Sequence, residues 1–352
     1  MQVRLPANER IKTMTMPSKR QSFTTSSSSE PTVRSMEDFH GDYGEVALMM
    51  QQSWAENSKQ PLLYTGEFIE SCFQYPGSKF YLAPTIYEGS KPVAFVAGFP
   101  RYVRLRRRAL RILIITFLSV AAPYKKKGYG VILWSELVTR AKAVGFDGMV
   151  NYCVKGEPMD YMIEGCCRRL GLPVARAYSV QYLSALLWSK KPSEAEKMGD
   201  EEIVEGFLCA AAPIAEQTPL SRIWSYDEAE WQCLRRIGST VAQHKVGLRH
   251  GIVTGYVMQI ANPERTKCLI IEDLLWGTLE KQEREILVRK LLAQAVGAGA
   301  RMAIVPILGY AKIEPFLTMR FRFSQRIMHA YFTVWKDEPV NEVFPSIYLD
   351  VF

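Results

Sequence analysis

The feature that most constrains the fold is a buried strand that runs through a basic, glycine-containing turn into a helix. Residues 110–121 are mostly apolar, and their length suits a buried strand and falls short of a membrane span. Residues 125–130 form the turn, and residues 127–144 have the pattern of a helix. The first amides of such a helix lack internal partners and lie at the positive end of its dipole, while Gly128 and Gly130 leave room for close approach. We therefore expect this turn to bind a diphosphate.

The elements around this stretch predict an α+β fold. Helices at residues 42–58 and 65–73 precede three antiparallel strands, of which residues 110–121 are the last. After the helix at residues 127–144, a strand, a helix and a strand follow at residues 149–154, 158–170 and 175–187. This order is typical of a mixed, mostly antiparallel sheet flanked by helices.

A similar order of elements recurs about 155 residues later, which predicts an internal duplication. A helix at 227–237 and a hairpin at 246–260 precede the repeat, whose strands and helices fall at 267–275, 280–296, 302–307, 313–319 and 327–334. We divide the chain into a tail (1–33), a first domain (34–188), a polar linker (189–202) and a second domain (203–352). We expect the serine-rich, basic tail to be disordered; it also loosely resembles an organelle transit peptide.

The turn resembles the diphosphate-binding signature of the GNAT superfamily of acyl-coenzyme A N-acyltransferases. The signature Arg/Gln-x-x-Gly-x-Gly/Ala is matched by Lys125-x-x-Gly128-x-Gly130, with lysine at the first position. The resemblance implies a duplicated N-acyltransferase fold, with acetyl-coenzyme A or another acyl-coenzyme A as co-substrate. It also implies that the end of the strand binds the pantetheine arm and that the turn wraps the diphosphate. The residues so implied are Leu118, Val120, Lys125, Lys126, Lys127, Gly128, Tyr129 and Gly130.

The same resemblance suggests catalytic residues, with one departure. In the family, a tyrosine four residues before a glycine often protonates the leaving thiolate, and here that position, before Gly171, is Cys167. A thiol can donate a proton, but Cys167 can equally be a small buried residue. Tyr161 is either a substitute donor or an ordinary half-buried ring. Asn151, on the strand after the phosphate-binding helix, completes the set of candidates.

The second half lacks a matching turn. It has Trp276-Gly277-Thr278-Leu279-Glu280 at the corresponding place, and an acid there would repel a diphosphate. We therefore expect a degenerate second copy, an arrangement similar to that of N-myristoyltransferases and mycothiol synthase. In the former the terminal carboxylate serves as base, which makes Phe352 a candidate for that role. Other candidate bases are surface carboxylates that lie near the site in sequence: Glu67, Glu70, Glu88 and Asp160.

Composition narrows the functional class. A net charge of +8 favours anionic partners. Seven cysteines at irregular spacing, without a CxxC pair, indicate free thiols in a reducing compartment, so we expect a cytoplasmic protein without a metal site or a membrane span. Six arginines crowd one hairpin, where we expect either an acidic partner or a solvated sheet edge: Arg101, Arg104, Arg106, Arg107, Arg108 and Arg111.

The sequence thus predicts an N-acyltransferase that moves an acyl group, in the first place acetyl, from acyl-coenzyme A to the amine of a small molecule. Two alternatives stay open. A Fem-like transferase would take its acyl group from aminoacyl-tRNA, which suits the basic charge but has no need of the phosphate turn. A non-catalytic coenzyme A-binding sensor would account for the absent tyrosine and the unplaced base.

Overall fold

The computed structural model describes residues 35–55, 62–187, 199–262, 264–336 and 342–350. The predicted tail (1–33) and Phe352 lie outside the described residues. Among the helices that are described, none is long and apolar enough to cross a membrane.

The first half of the chain surrounds a long antiparallel hairpin whose strands are largely buried. Its elements are β1 (Ser35–Asp38), α1 (Tyr43–Ala55), α2 (Gly66–Phe73), β2 (Pro84–Glu88), β3 (Lys91–Leu105), β4 (Arg108–Val120), α3 (Tyr129–Ala143), β5 (Gly148–Val154), α4 (Pro158–Arg169) and β6 (Ala175–Leu186). Thr65 caps α2: its hydroxyl accepts a hydrogen bond of 3.2 Å from the Phe68 N–H.

The second half repeats this plan. Its elements are α5 (Asp200–Gln217), β7 (Leu220–Ile223), α6 (Tyr226–Glu230), β8 (Ser239–Val246), β9 (Arg249–Gln259), β10 (Lys267–Leu275), α7 (Lys281–Gly297), β11 (Ala300–Ile307), α8 (Glu314–Thr318), β12 (Arg322–Val334) and β13 (Ile347–Tyr348). A π-helical turn, Trp231–Arg235, continues α6.

The described strands form one 13-stranded sheet in which the two halves exchange a strand. Its order is β1-β2-β3-β4-β5-β12-β6-β11-β10-β9-β8, and β7 pairs with β3 and β13. β12 therefore lies beside β5 of the first half, and β6 lies beside β11 of the second. The pairs β4–β5 and β10–β11 are parallel and are joined through α3 and α7. The sheet is mixed and mostly antiparallel, as predicted.

Three predicted elements differ from the structure. The first of the three predicted antiparallel strands, expected from residue 79 to residue 87, begins with a 3-10 turn, Phe80–Leu82, and is extended only from Pro84. α5 begins at Asp200, inside the predicted linker 189–202, and continues through a stretch for which no element was predicted. α3 begins at Tyr129 and not at residue 127, because Gly128 has a left-handed φ of 83°.

The two faces of β3 and β4 are covered differently. On one face, α3 packs through Trp134 and other apolar side chains onto the sheet. On the other face, α1 and α2 cover an aromatic layer that includes Phe68, Phe99 and Phe117, together with Tyr256 from the second half. Both halves of the chain therefore contribute to this layer.

Candidate functional site

The parallel strands β4 and β5 part in the middle of the sheet. Their register pairs end at Ile115 and Asn151. Beyond this point β4 remains paired with β3, and β5 remains paired with β12 as far as Val154. The facing edges of the two strands therefore open into a wedge.

The backbone of β4 offers hydrogen-bonding groups to this wedge. The Ala121 N–H donates to the Val93 carbonyl on β3, at 2.9 Å. Since alternate residues of a strand direct their backbone groups to opposite edges, Val120 and Leu118 direct theirs to the open side. These are the two residues that the sequence assigns to the pantetheine arm, an assignment that stays a prediction.

A bulge interrupts β4 at the apex of the wedge. Phe117 and Leu118 together oppose the single residue Val96 on β3, and Phe117 has a φ of 62°. A positive φ is rare for a bulky residue, and a bulge turns the local backbone groups to new directions. An N–H turned into the wedge can polarise a carbonyl oxygen bound there.

Two buried polar atoms lie without partners where the strands part. The Trp134 Nε1–H donates to Asn151 Oδ1 at 2.9 Å, and the Asn151 side chain is only 4% exposed. Asn151 Nδ2 and Ser119 Oγ on β4 have no hydrogen-bond partner within the described part of the chain. Buried polar groups are normally satisfied, so a ligand in the wedge would complete Asn151 Nδ2 on the α3 side of the sheet, whereas the alternation of β4 puts Ser119 on the opposite side.

The turn before α3 presents an open helix N-terminus. Gly128 is the N-cap, makes no side-chain cap bond, and has no atom within 4 Å of the place where a Cβ would stand. Lys126 also has a positive φ of 63°. Lys125 Nζ donates to the Ser53 carbonyl at 2.9 Å, which ties the turn to α1. Lys127 Nζ lies 5.2 Å from the centroid of the Tyr124 ring. A helix N-terminus and positive charge therefore coincide at this turn.

Comparison with known proteins identifies this region. Residues 45–158 match the family model described as Acetyltransferase (GNAT) family. This stretch of the chain is similar to a GNAT domain. The matched residues contain the wedge, the bulge and the turn before α3.

Solved structures show that the likeness extends beyond the GNAT domain. The fold is similar to that of Saccharomyces cerevisiae N-myristoyltransferase with bound myristoyl-coenzyme A and inhibitors, with a TM-score of 0.71, 12% identity, and coverage of 92% of this chain and 89% of that one. A further structure of that enzyme with bound myristoyl-coenzyme A gives a TM-score of 0.70 at 12% identity, with coverage of 92% of this chain and 92% of that one. At this identity the likeness shows the fold alone. A comparison with curated proteins finds no match.

The second copy of the fold has closed its own helix N-terminus. Glu280 caps α7 and forms a capping box with Glu283, whose carboxylate accepts from the Glu280 N–H at 2.8 Å. Arg249 pairs with both of these acids. An acid with its own partners therefore stands at the N-terminus of α7, where α3 has Gly128; that this copy is degenerate stays a prediction.

The predicted catalytic side chains lie in different surroundings. Cys167 is 0% exposed, its Sγ is 3.9 Å from Thr333 Oγ1, and burial raises the pKa of its thiol to about 11. Tyr161 is 76% exposed and does not lie on the buried side of α4 with Cys167. Asn151 faces Trp134 beneath α3. The roles of all three stay predictions.

Asp160, one of the four candidate bases, is the centre of a small hydrogen-bond network. Its Oδ1 is 2.8 Å from His329 Nδ1 and accepts from the Tyr331 hydroxyl at 3.0 Å, while its Oδ2 accepts from the Gly156 N–H at 3.0 Å. Burial would raise the pKa of Asp160, but these three partners outweigh it and lower the pKa. The sequence gives no sign of His329 and Tyr331 because they arrive on the exchanged strand β12.

The arginine-rich hairpin is partly covered by the second half. β7 pairs with β3 from Tyr102 to Leu105, and four of the arginines have partners inside the molecule. These partners are Asp350 for Arg101, the Ala215 carbonyl for Arg104, Glu342 for Arg106 and the Val144 carbonyl for Arg111. An acidic partner protein, as predicted for this hairpin, would meet arginines that are already engaged.

Proposed function

We propose that the chain is an N-acyltransferase that transfers a short acyl group, acetyl in the first place, from acyl-coenzyme A to the amine of a small molecule. The observation that carries this proposal is the wedge between β4 and β5, with the unsatisfied Asn151 Nδ2, next to the uncapped start of α3. The amides of a pantetheine arm suit the wedge, and a diphosphate suits the helix N-terminus and the charge of the turn.

The chemistry of the transfer would take place at the bulge. The lone pair of the neutral amine nitrogen forms a C–N bond to the thioester carbon, the C–S bond breaks, and coenzyme A leaves as a thiolate that takes up the proton which the nitrogen gives up. Backbone N–H groups at Phe117 and Leu118 would stabilise the developing charge on the carbonyl oxygen. The wedge and the turn together would fix the thioester at this point, which lowers the entropic part of the barrier.

Aromatic packing supports a short acyl group and a small acceptor. The Phe117 ring, behind the bulge, lies 5.3 Å from the ring of Tyr64 and 6.0 Å from that of Phe99, measured between centroids. Tyr64 in turn lies 5.5 Å from Phe68. Rings at these distances are in contact, so a long chain could enter this layer only by separating them.

A long-chain donor with a protein acceptor is the second candidate. It is favoured by the likeness of the fold, over both halves, to an N-myristoyltransferase with bound myristoyl-coenzyme A. The two candidates differ in the acyl chain that the aromatic layer must accommodate, so a comparison of acetyl- with myristoyl-coenzyme A separates them.

The donor site is tested by calorimetry on Gly128→Glu. Acetyl-, malonyl- and myristoyl-coenzyme A would each be titrated into the wild type and the variant. We expect the variant to weaken binding of the preferred donor about a hundredfold, since a carboxylate would occupy the open helix N-terminus. Gly145→Glu is the matched control, because Gly145 also has a positive φ, of 81°, in open space but follows the end of α3.

The outcomes separate the remaining functions. Equal donor affinity in both glycine variants would contradict a diphosphate site at the turn. If coenzyme A binds but thiol release fails with a wide panel of amines, the sensor is favoured. If the protein retains RNA on a filter and does not bind coenzyme A, the Fem-like transferase is favoured.

A further inference from the structure

The second copy of the fold repeats the bulge of the first with different side chains. On β10, Glu272 and Asp273 together oppose the single residue Thr254 on β9, just as Phe117 and Leu118 oppose one residue on β3. Each bulge begins three residues before the last residue of its strand. The degenerate copy therefore has two carboxylates where the GNAT domain has the bulge of its donor site.

The two carboxylates are satisfied to different degrees. Gln232 Nε2 donates to both, at 2.6 Å to Glu272 and 3.0 Å to Asp273. Asp273 also accepts from Thr254 Oγ1 at 2.5 Å and from the Tyr348 hydroxyl at 3.1 Å. Glu272 Oε2 accepts from Arg236 at 2.5 Å, but Glu272 Oε1 and the Nε of Arg236 are both buried without a hydrogen-bond partner among the residues that the structure describes.

These acids belong to a buried network that is short of one positive charge. Asp350 pairs with both Arg101 and Arg222, Glu272 pairs with Arg236, and Glu228 accepts from the Tyr75 hydroxyl. The network has three cations and four carboxylates, each at most 9% exposed: Arg101, Arg222, Arg236, Glu228, Glu272, Asp273 and Asp350. An uncompensated buried charge is costly. Burial raises the pKa of both Glu272 and Asp273, as expected where a counter-charge is missing.

The network borders the aromatic layer that lies behind the β4 bulge. The Arg236 guanidinium lies 3.7 Å from the centroid of the Tyr256 ring, and Tyr256 stacks on Phe68 with a centroid distance of 5.7 Å. Phe68 and Tyr256 belong to the same buried cluster as Phe117. The two bulges therefore lie on either side of one layer of rings.

From this arrangement we infer that Glu272, held by Arg236 and Gln232, binds the cationic group of the acceptor amine through its free oxygen Oε1. An ammonium group supplies both the missing positive charge and the N–H donors that this oxygen lacks. The inference rests on the proposed function and adds the class of acceptor, a small organic amine that enters as a cation and attacks the thioester only after the reacting nitrogen has given up its proton. The copy that no longer holds a diphosphate would thus supply the recognition of the acceptor.

Calorimetry with simple amines tests this site directly. Ethylamine, glycinamide and 1,4-diaminobutane would be titrated into the full chain saturated with coenzyme A, with 1,4-butanediol as the uncharged match for the diamine. We expect at least one amine to bind, and the diol to bind at least about tenfold more weakly. Glu272→Gln should weaken the amine at least about tenfold and leave the affinity for coenzyme A within about twofold.

Glu228→Gln is the matched control for stability. Glu228 is a carboxylate of the same network, but both of its oxygens have partners. We expect this variant to lose thermal stability and to keep its amine affinity. Equal amine affinity in wild type and Glu272→Gln, or an absence of binding by all three amines to a chain that binds coenzyme A, would overturn the inference. Amine binding without coenzyme A binding would instead overturn the donor site and leave Glu272 as a cation site.

Discussion

At Cys167 the chain has a thiol where the GNAT pattern places a tyrosine, and the surroundings of that thiol set its chemistry. The side chain is fully buried, faces Thr333, and has a pKa raised to about 11 by burial. A proton donor works best when its pKa lies near the ambient pH and when it reaches the leaving group. Both conditions favour a packing role for Cys167 over proton transfer.

We expect Cys167→Ala to lower the free energy of unfolding by about 1–2 kcal/mol, since it leaves a small void in a packed core. We expect kcat for acyl transfer to change less than about threefold, whereas loss of a general acid lowers rates about a hundredfold or more. Urea unfolding and thiol release would measure the two quantities. A kcat at least tenfold lower in folded Cys167→Ala would mean that the thiol takes part in acyl transfer.

Asn151→Asp is the companion variant, because it removes the unpartnered Nδ2 and should raise the KM for acyl-coenzyme A.

The bulge of β4 and the helices that cover it decide which acyl chain fits. Tyr64 lies between the rings of Phe117 and Trp54, at centroid distances of 5.3 and 5.2 Å. It precedes α2, so its ring closes the layer from the side of the covering helices. Removing this ring would open space behind the bulge without altering the backbone that faces the thioester.

We expect Tyr64→Ala to raise the ratio of kcat/KM for octanoyl-coenzyme A to that for acetyl-coenzyme A about tenfold or more, because each buried methylene contributes about 0.8 kcal/mol. Steady-state thiol release with both donors measures the ratio. Tyr43→Ala is the control: Tyr43 contacts the far side of the same cluster, at Phe39 and Phe73, and its loss should leave the ratio unchanged. A wild type that already prefers octanoyl-coenzyme A would contradict the short-chain proposal.

Elements with a local signal could be predicted, and elements fixed by tertiary contacts could not. β4, the turn and α3 were predicted to within two residues, because a long apolar run and Gly128 mark their limits. α5 was missed because its Gly206 and Pro213 weaken the helical pattern. The left-handed φ of Phe117 has no sequence sign, since the pairing of β3 with β4 imposes it.

At the scale of the whole molecule, the exchange of β6 and β12 makes the two halves one structural unit. The exchange brings His329 beside Asp160, and the stacking of Tyr256 on Phe68 joins the second half to the aromatic layer behind Phe117. No period or spacing in the sequence predicts such contacts, because each joins residues from different halves. The domain boundary predicted near residue 188 falls between β6 and α5, although β6 is paired with strands of the second half.

Asp350 joins the segment after β12 to both halves of the sheet. Its carboxylate pairs with Arg101 on β3 and with Arg222 on β7, and all three side chains are buried. Burial would raise the pKa of Asp350, but the two guanidinium groups outweigh it and lower the pKa to about 2. A depressed pKa stabilises the fold above the unfolded value of about 3.9, and this contribution is lost as the pH falls towards 2.

We therefore expect Asp350→Asn to lower the free energy of unfolding at pH 7 by about 3–5 kcal/mol, because it leaves two buried guanidinium groups without their counter-charge. The difference from the wild type should shrink between about pH 4 and pH 2, where the wild-type carboxylate takes up its proton. Urea unfolding across that range measures it. Glu342→Gln is the control from the same segment. The ion pair of Glu342 with Arg106 is exposed, with side-chain exposures of 43% and 69%, so its loss should lower the free energy of unfolding by less than about 1 kcal/mol. A difference for Asp350→Asn that stays constant from pH 4 to pH 2 would mean that the carboxylate is not the charged link between the two halves.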